Sequence, residues 1–282
     1  MFMRADGENV QCDLCPNNCK IKSGSFGACG VRGNKSGKGI IPFYGFISAL
    51  ALDPIEKKPL YHFMPGSKIL SLGFAGCSFR CPFCQNWRIS QSADINDQHG
   101  GRYMQPGEII SAALRQNSPS IAYTYSEPLV HAEYILDCMT LAREHGIANV
   151  LVTNGCAKKE AAEEILKLTD AANVDLKSFN AEIYKNILNG DLQAVLDFIK
   201  LCDKMKVHIE ITTLVVPDLN NSFDELDSIT DFIVSVNKDI PWHLTAYHPD
   251  YRWNAPPTDP SFLISAARKA KEKITFAHTG NI

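Results

Sequence analysis

Three cysteines in the segment GFAGCSFRCPFCQNW have the spacing C-x3-C-x2-C: Cys77, Cys81 and Cys84. Three thiolates this close can wrap one face of a [4Fe–4S] cube, a cluster that usually takes four protein thiolates. One iron would then lack a cysteine, and the amine and carboxylate of S-adenosylmethionine could chelate it. One electron would break the C5′–S bond and give a 5′-deoxyadenosyl radical that abstracts hydrogen from unactivated C–H bonds. The cofactors would do this chemistry, while the protein positions them and excludes water.

Two other interpretations of these three cysteines are a structural zinc site and plain buried thiols. Zinc in structural sites takes four ligands, and no fourth ligand is evident nearby in the sequence. The spacing therefore favours the iron–sulfur cluster.

A second group of cysteines, near the N-terminus, has the spacing C-x2-C-x3-C-x9-C: Cys12, Cys15, Cys19 and Cys29. Four thiolates could hold an auxiliary [4Fe–4S] cluster that relays an electron. They could equally hold a zinc ion that staples a segment too small for its own core. The compact spacing leans towards iron–sulfur, and both metals stay open. Disulfides are the least expected, because clustered cysteines in a reducing compartment are usually metal ligands.

The composition argues against a nucleic-acid-binding, membrane or secreted protein. The net charge of −3 over 282 residues and a pI of about 6.2 give no electrostatic footprint for nucleic acid or an anionic membrane. No apolar run approaches the roughly 20 residues that span a bilayer, and the first residues lack the apolar core of a signal peptide. We therefore expect a cytoplasmic protein without nucleic-acid or membrane partners.

The elements that position these residues follow from the hydrophobic pattern. Residues 1–66 are rich in Gly, Lys, Asn and Pro and predict a cysteine-rich knuckle followed by short strands with a turn at DPIEKKP. Residues 67–282 predict six strand–helix units in series and a last short strand. The predicted strands are 68–74, 120–126, 147–153, 171–176, 207–216, 241–247 and 273–279, and the helical stretches are 106–117, 129–146, 158–169, 181–206, 222–237 and 259–272.

Polar residues collect where each predicted strand ends. They are Cys77, Ser126, Glu127, Thr153, Asn154, Asp175, Lys177 and His248. Each would be costly to bury alone, so one shared polar site is expected. A barrel gathers many strand ends on one face, whereas an open doubly wound sheet gathers only those near its switch point. The pattern therefore favours a partial (β/α)6 TIM-like barrel with a small N-terminal cysteine-rich, metal-binding extension.

A family resemblance rests on motifs along nearly the whole chain. They are CDLCPNNC, GACGVR, DPIEKKPLYHFMPGS, GCSFRCPFCQNWRISQ, AYTYSEP, LVTNG, ANVDLKSF, ITTLVVPDLNNS and WHLTAYHPDY. With these the chain resembles the radical S-adenosylmethionine (SAM) superfamily. Within it the chain is similar to pyruvate formate-lyase activating enzymes, and more closely to the AmmeMemoRadiSam system radical SAM enzyme family. The resemblance implies a barrel of the radical SAM type.

The resemblance also implies roles around the cofactor. The backbone of Phe83 would contact adenine. YTYSEP takes the place of a Gly-Gly-Glu-Pro motif, so Ser126 and Glu127 would meet the amino group of SAM; alternatively, Glu127 caps the following helix. Asp175 and Lys177 lie two apart and share a face of their strand. Lys177 would meet the cofactor carboxylate and Asp175 the ribose or a substrate backbone, unless the two form only a surface ion pair.

Three further positions are less specific. Asn154 could bind ribose or carboxylate, or simply form a turn. His248 matches a histidine near adenine in the activating enzymes. Thr212 stands where those enzymes carry an arginine, which suggests a different cofactor clamp or substrate.

These features predict a radical SAM enzyme with a glycyl-radical-activase-like reaction. The resemblance implies a flavodoxin or ferredoxin as electron donor and a protein or peptide as a possible substrate. The alternative is a non-enzymatic iron–sulfur or zinc protein that carries electrons or binds a partner. The polar strand ends favour the enzyme.

Overall fold

The computed structural model describes residues 2–91 and 101–282. The strands are β1 (Met3–Asp6), β2 (Asn9–Cys12), β3 (Lys20–Ile21), β4 (Gly33–Lys35), β5 (Lys38–Ile40), β6 (Phe46–Ile47), β7 (Ala49–Pro54), β8 (Lys68–Gly73), β9 (Arg102–Tyr103), β10 (Ser120–Thr124), β11 (Ala148–Thr153), β12 (Ala171–Asp175), β13 (His208–Val215), β14 (Trp242–Ala246) and β15 (Ala277–Gly280). The helices are α1 (Trp87–Ser90), α2 (Pro106–Arg115), α3 (Ala132–Glu144), α4 (Lys159–Leu166), α5 (Ala181–Ile183), α6 (Leu192–Lys204), α7 (Phe223–Val236) and α8 (Pro260–Ala270).

One sheet of eight strands organises the molecule, in the order β15-β14-β13-β12-β11-β10-β8-β7. Neighbours from β8 to β15 are parallel, and six helices, α2, α3, α4, α6, α7 and α8, separate these strands along the chain. In the part of the chain that the structure describes, no pairing joins β7 to β15. The sheet is therefore open, and the predicted partial (β/α)6 barrel is confirmed.

The local sequence explains these units. Strand β10, SIAYT, is buried at every residue, as expected for a parallel strand covered on both faces. Helix α3 buries Tyr134, Ile135, Cys138, Met139 and Ala142, which recur at helical spacing. Helices α6, α7 and α8 begin after Asp191, Ser222 and Asp259, whose side chains accept hydrogen bonds from the first-turn N–H groups.

The N-terminal region forms a three-stranded antiparallel sheet, β1-β2-β3, and the two-stranded ribbon β4-β5. The buried guanidinium of Arg32 donates to both carboxylate oxygens of Glu133 on α3, at 2.6 and 2.7 Å, and joins this region to the barrel. Strand β7 pairs antiparallel with β8 along its full length. The main sheet therefore includes a strand from residues 1–66, and the division at residue 66 stays a prediction.

The segment after β7 continues along the barrel. A 3-10 turn, Ile55–Lys57, follows β7 directly. The backbone N–H groups of Tyr61 and His62 donate to the buried carboxylate of Glu210 on β13, at 3.0 and 2.8 Å. His208 and His243 also contact this carboxylate. The motif DPIEKKPLYHF is therefore part of the barrel wall. None of the helices that the structure describes is both long and apolar enough for a membrane span.

Candidate active site

The loop that carries Cys77, Cys81 and Cys84 follows β8 at the carboxyl edge of the sheet. Gly76 precedes it with φ of +77°, in the left-handed region that glycine tolerates. A Cβ on Gly76 would lie 2.5 Å from the carbonyl oxygen of Cys29. The glycine thus allows the loop to pack directly against the N-terminal region.

The three thiols are placed in low-dielectric surroundings. Burial raises the pKa of Cys81 to about 12, with Lys177 acting in the opposite direction. Burial also raises the pKa of Cys77 well above its ordinary value, and Glu127 and Cys81 add to the effect. Without a cation the thiols of Cys77 and Cys81 stay protonated, so a strongly polarising metal centre is needed to hold these two as thiolates.

A cavity of about 610 Å³ lies at this edge, in the size range of small-molecule sites. Ten of the residues singled out from the sequence line it: Cys77, Cys81, Phe83, Cys84, Ser126, Glu127, Asn154, Asp175, Lys177 and Thr212. His248 is outside this lining and exposed, and its ring contacts the backbone oxygen of Asn281 at 3.1 Å. The ten predicted residues that line the cavity therefore come from the ends of four strands, β8, β10, β11 and β12, and from within β13.

Glu127 holds two strand ends together. Its carboxylate accepts hydrogen bonds from the Thr153 hydroxyl at 2.6 Å and from the N–H groups of Asn154 and Leu129 at 2.8 and 3.0 Å. Burial raises the pKa of Glu127 to about 7, although these hydrogen bonds act to lower it and Asp175 to raise it. The bond from Leu129 is the helix cap considered from the sequence, and the side chain also lines the cavity.

Asp175 and Lys177 form an ion pair, with Nζ and Oδ2 3.0 Å apart. The pair faces the cavity instead of bulk solvent, and Lys177 keeps only 16% of its side chain exposed. Burial acts to lower the pKa of Lys177, but Asp175 and Cys81 raise it, so the ammonium stays charged. A fixed positive charge beside Cys81 suits an anionic group of a ligand.

Two buried hydroxyls in the cavity wall are unsatisfied. Ser126 Oγ and Thr212 Oγ1 are solvent-inaccessible and make no hydrogen bond to any described residue. Buried polar atoms usually have a partner, and leaving one without costs about 1–3 kcal/mol. In contrast, Asn154 is engaged: its amide donates to Ser78 Oγ at 3.1 Å and accepts from the N–H of Cys156 at 2.9 Å. The two free hydroxyls fit a polar ligand such as SAM.

A cluster that the sequence did not suggest adjoins these residues. Tyr125 has φ of +68°, a conformation that is strained for a bulky residue. Its hydroxyl donates to Asp53 at 2.5 Å, and Lys58 Nζ lies 2.7 Å from the same carboxylate and 4.2 Å from the Tyr125 ring centroid. Lys58 and Tyr125 line the cavity. The one sign of this cluster in the sequence is that Tyr125 replaces a glycine of the Gly-Gly-Glu-Pro motif.

The N-terminal cysteines lie close to one another. Burial raises the pKa of Cys15 to about 12, and Cys12, Cys29 and Cys19 each add to the rise. None of the four lines the cavity. Among residues 2–91 and 101–282, no set of three or more His, Cys, Asp or Glu side chains is arranged to hold a metal ion. Thiolates around a cube bind different irons and stand farther apart than ligands of one ion. The cluster at Cys77, Cys81 and Cys84 therefore stays a prediction, as does the cluster or zinc ion at the N-terminal cysteines.

Comparisons with known proteins identify the family. Residues 72–233 match the family model "Radical SAM superfamily". The chain is 39% identical to the uncharacterized protein MJ0808 of Methanocaldococcus jannaschii, over 100% of the chain and 84% of that protein. It is 26% identical to the pyruvate formate-lyase-activating enzyme of Clostridium pasteurianum, over 62% of this chain and 73% of that enzyme.

A solved radical SAM methyltransferase from Sphaerobacter thermophilus has a similar fold. Its TM-score is 0.59 at 12% identity, over 77% of this chain and 67% of that one. The matched model spans more than half of the chain, including the C-x3-C-x2-C loop, β10 to β13 and the helices between them. The chain belongs to the radical SAM superfamily.

Proposed function

We propose that this protein is a radical SAM enzyme whose Cys77, Cys81 and Cys84 hold a [4Fe–4S] cluster. One observation carries the proposal: three thiols with this spacing open into the same cavity as two unsatisfied hydroxyls and an ion pair. When bound, the cluster and SAM supply one-electron cleavage of the C5′–S bond and hydrogen abstraction from a substrate.

The residues around the cavity have distinct parts in binding. Lys177 offers a charge to the SAM carboxylate. Ser126 and Glu127 offer oxygen acceptors to its amino group, and the unsatisfied Thr212 hydroxyl offers a further contact in place of an arginine. Asp175 is positioned for the ribose hydroxyls or for a substrate backbone.

Three residues predicted from the sequence have supporting roles. The Phe83 side chain is buried and packs edge-on to Trp253, so its backbone is fixed at the cavity wall for adenine. Asn154 fixes the loop by bonding to Ser78, next to Cys77. His248 is outside the cavity lining, and its ring contacts the backbone oxygen of Asn281, which lines the cavity, so any contact of His248 with adenine would be at the rim.

The N-terminal cysteines form a second metal centre in this proposal. Cys12, Cys15, Cys19 and Cys29 hold an auxiliary [4Fe–4S] cluster or a zinc ion in an extension of residues 1–66. The contact between Gly76 and Cys29 supports a relay, because it brings the two cysteine groups side by side. The electron would come from a flavodoxin or ferredoxin.

The substrate class follows from similarity alone. Pyruvate formate-lyase-activating enzymes are among the relatives, at about a quarter identity, and one structural neighbour is described as bound to a precursor peptide. These relatives support a protein or peptide substrate and an activase-like hydrogen abstraction.

The test is anaerobic reconstitution with iron and sulfide, followed by dithionite and SAM. We expect release of 5′-deoxyadenosine from the wild type and none from Cys81→Ala. A wild type that holds an intact cluster yet releases no 5′-deoxyadenosine would contradict the enzyme and favour an electron-transfer or binding protein. Product formation by Cys81→Ala would show that the cleaving cluster is held elsewhere.

A further inference from the structure

A buried serine hydroxyl lies against one of the three sulfur atoms that would hold the active-site cluster. Ser90 Oγ is 3.2 Å from Cys84 Sγ, and Ser90 is only 2% exposed. The surroundings of Cys77 Sγ differ: it accepts from the backbone N–H of Phe79 at 3.3 Å and lies 3.8 Å from the side-chain amide of Asn154. Among the described residues, Ser90 therefore makes the closest side-chain contact to these sulfurs.

The chain turns back on itself to place this hydroxyl. Helix α1 follows the cysteine loop, and the N–H of Trp87 donates to the carbonyl of Cys84 at 3.3 Å. The carbonyl of Ile89 accepts from the N–H of Gly76 at 2.8 Å, which ties α1 to the start of the same loop. Ser90 therefore approaches Cys84 from a turn that is attached to the loop at two points.

The neighbouring side chain of Gln91 orients the hydroxyl. Its amide nitrogen donates to Ser90 Oγ at 3.1 Å and to the carbonyl of Phe79 at 3.3 Å. Because the Ser90 oxygen already accepts a hydrogen bond from Gln91, its own proton is available to Cys84. A Cys84 thiolate on a metal has no proton to give, so the contact must then be an O–H···S hydrogen bond from Ser90.

We propose that Ser90 is a positioning residue that donates a hydrogen bond to the Cys84 thiolate and thereby raises the reduction potential of the active-site cluster. This inference rests on the proposed function, in which one electron from an external reductant enters that cluster. The added negative charge is shared with the sulfur ligands, so a donor to a sulfur stabilises the reduced form more than the oxidised form. Hydrogen bonds to the sulfurs are among the factors that set cluster potentials. No proton is transferred, and Ser90 stays neutral.

The test is a redox measurement on the reconstituted protein, and it does not depend on turnover. The electron paramagnetic resonance (EPR) signal of the reduced protein is recorded at a series of fixed potentials. The component that changes when SAM is added identifies the active-site cluster. In Ser90→Ala the ratio of reduced to oxidised cluster at a fixed potential should fall about tenfold, because a hydrogen bond to a charged group is lost. For a one-electron couple, that fall corresponds to a midpoint about 59 mV more negative.

Two further variants separate the hydrogen bond to sulfur from a structural role. Ser90→Thr keeps a hydroxyl and should hold the ratio within about twofold of wild type. The matched control is Ser118→Ala, which removes a buried hydroxyl that bonds to the backbone groups of Leu70 and Ser120, remote from the cysteines. This change should leave the ratio unaltered, even where it lowers the stability of the protein.

The outcomes distinguish this inference from the proposed function. A wild-type ratio in Ser90→Ala would overturn the inference, as would an equal fall in Ser118→Ala, since the effect would then follow stability. If Ser90→Ala assembles no cluster, Gln91→Leu decides: it frees the Ser90 hydroxyl to turn away, so the ratio should fall about threefold, and an unchanged ratio would overturn the inference. A wild type without any SAM-sensitive EPR signal would instead refute the proposed function, and the role of Ser90 with it.

Discussion

The two groups of cysteines differ in what surrounds them. Cys77, Cys81 and Cys84 open into a large cavity whose wall contains unsatisfied hydroxyls. Cys12, Cys15, Cys19 and Cys29 lie at no part of that cavity; Cys12 and Cys29 are buried, and Cys15 and Cys19 are partly exposed. A centre that must bind a small molecule needs both space and free polar groups, whereas a structural or relay centre needs neither. The contrast supports the proposal that the first group is catalytic and that the second has a supporting role.

The sharpest way to break this contrast is to remove one thiol from each group. Cys81→Ala should eliminate 5′-deoxyadenosine formation with dithionite, because the cluster loses one of its three protein ligands. Cys15→Ala should retain formation with dithionite, since a chemical reductant bypasses the N-terminal centre. Iron and sulfide analysis of each variant identifies the centre that is lost.

The control for this experiment is Cys202→Ala, a fully buried cysteine on α6 outside both groups. It should keep both centres and full product formation. If Cys15→Ala stops dithionite-driven cleavage while its active-site cluster remains intact, the N-terminal centre itself takes part in catalysis, and the contrast fails.

The next largest effect concerns how the N-terminal region is attached. Arg32 is 1% exposed, and Glu133 is its bidentate partner. Removing one partner of a buried ion pair leaves the other charge uncompensated, so Glu133→Gln should lower the free energy of unfolding by about 3–5 kcal/mol. Urea denaturation measures this loss.

A matched comparison is Asp231→Asn, which breaks the exposed pair with Lys273 and should lower the free energy of unfolding far less than Glu133→Gln does. Burial acts to raise the pKa of Glu133, but Arg32 lowers it further. The stabilisation should therefore be complete above the carboxyl's unfolded pKa and be lost as the pH falls below it. Equal losses from the two variants would mean that the N-terminal region is held by other contacts.

The fold was largely predictable from the sequence, because burial imposes a period on each element. Strands such as β10 are buried throughout, and helix α3 repeats its apolar residues at helical spacing. The pairing of β7 with β8 was not predicted, because a short alternating segment does not reveal its partner strand. The sheet therefore extends one strand further into residues 1–66 than the sequence indicated.

The candidate site was predictable where chemistry is local. The cysteine spacing and the polar strand ends identified ten residues that line the cavity. The group of Tyr125, Asp53 and Lys58 was missed, because it joins residues about 70 positions apart through a backbone conformation that sequence alone does not specify. The sequence predicted that Glu127 lies at the site, but it did not predict the hydrogen bond from Thr153 that joins Glu127 to the end of the next strand.

The unsatisfied hydroxyl of Thr212 allows a test with a smaller expected effect, in which one substitution should raise the stability of the protein and lower its affinity for SAM. Thr212→Val removes a buried oxygen that has no partner, so the ligand-free protein should be stabilised by about 1 kcal/mol. The same change should weaken SAM binding to the reconstituted protein about tenfold, since a hydrogen bond to a charged ligand contributes about 1.5–3 kcal/mol. Thermal unfolding and equilibrium dialysis measure the two effects.

The matched control is Thr230→Val in α7, where the hydroxyl is buried but donates to the Leu226 carbonyl at 2.8 Å. That change should leave SAM affinity unaltered and should not stabilise the protein. A Thr212→Val variant that is destabilised and binds SAM as tightly as wild type would show that the hydroxyl has a structural partner and no ligand.

The smallest expected effect is a pH dependence of the affinity for SAM. It tests whether the ionised carboxylate of Glu127 binds the cofactor. Burial raises the pKa of this carboxyl to about 7, so it is mainly protonated at pH 6 and mainly ionised at pH 8. An ionised carboxylate accepts a hydrogen bond from the SAM amino group more strongly than a protonated one does. The affinity for SAM should therefore rise about fivefold from pH 6 to pH 8.

The control is Glu127→Gln, which keeps an acceptor oxygen for Thr153 but cannot titrate. Equilibrium dialysis should show that the rise in SAM affinity attributed to Glu127 is absent from this variant between pH 6 and pH 8. A slope that persists in this variant would assign the titration to another group in the cavity and leave Glu127 with only its structural bonds to Thr153, Asn154 and Leu129.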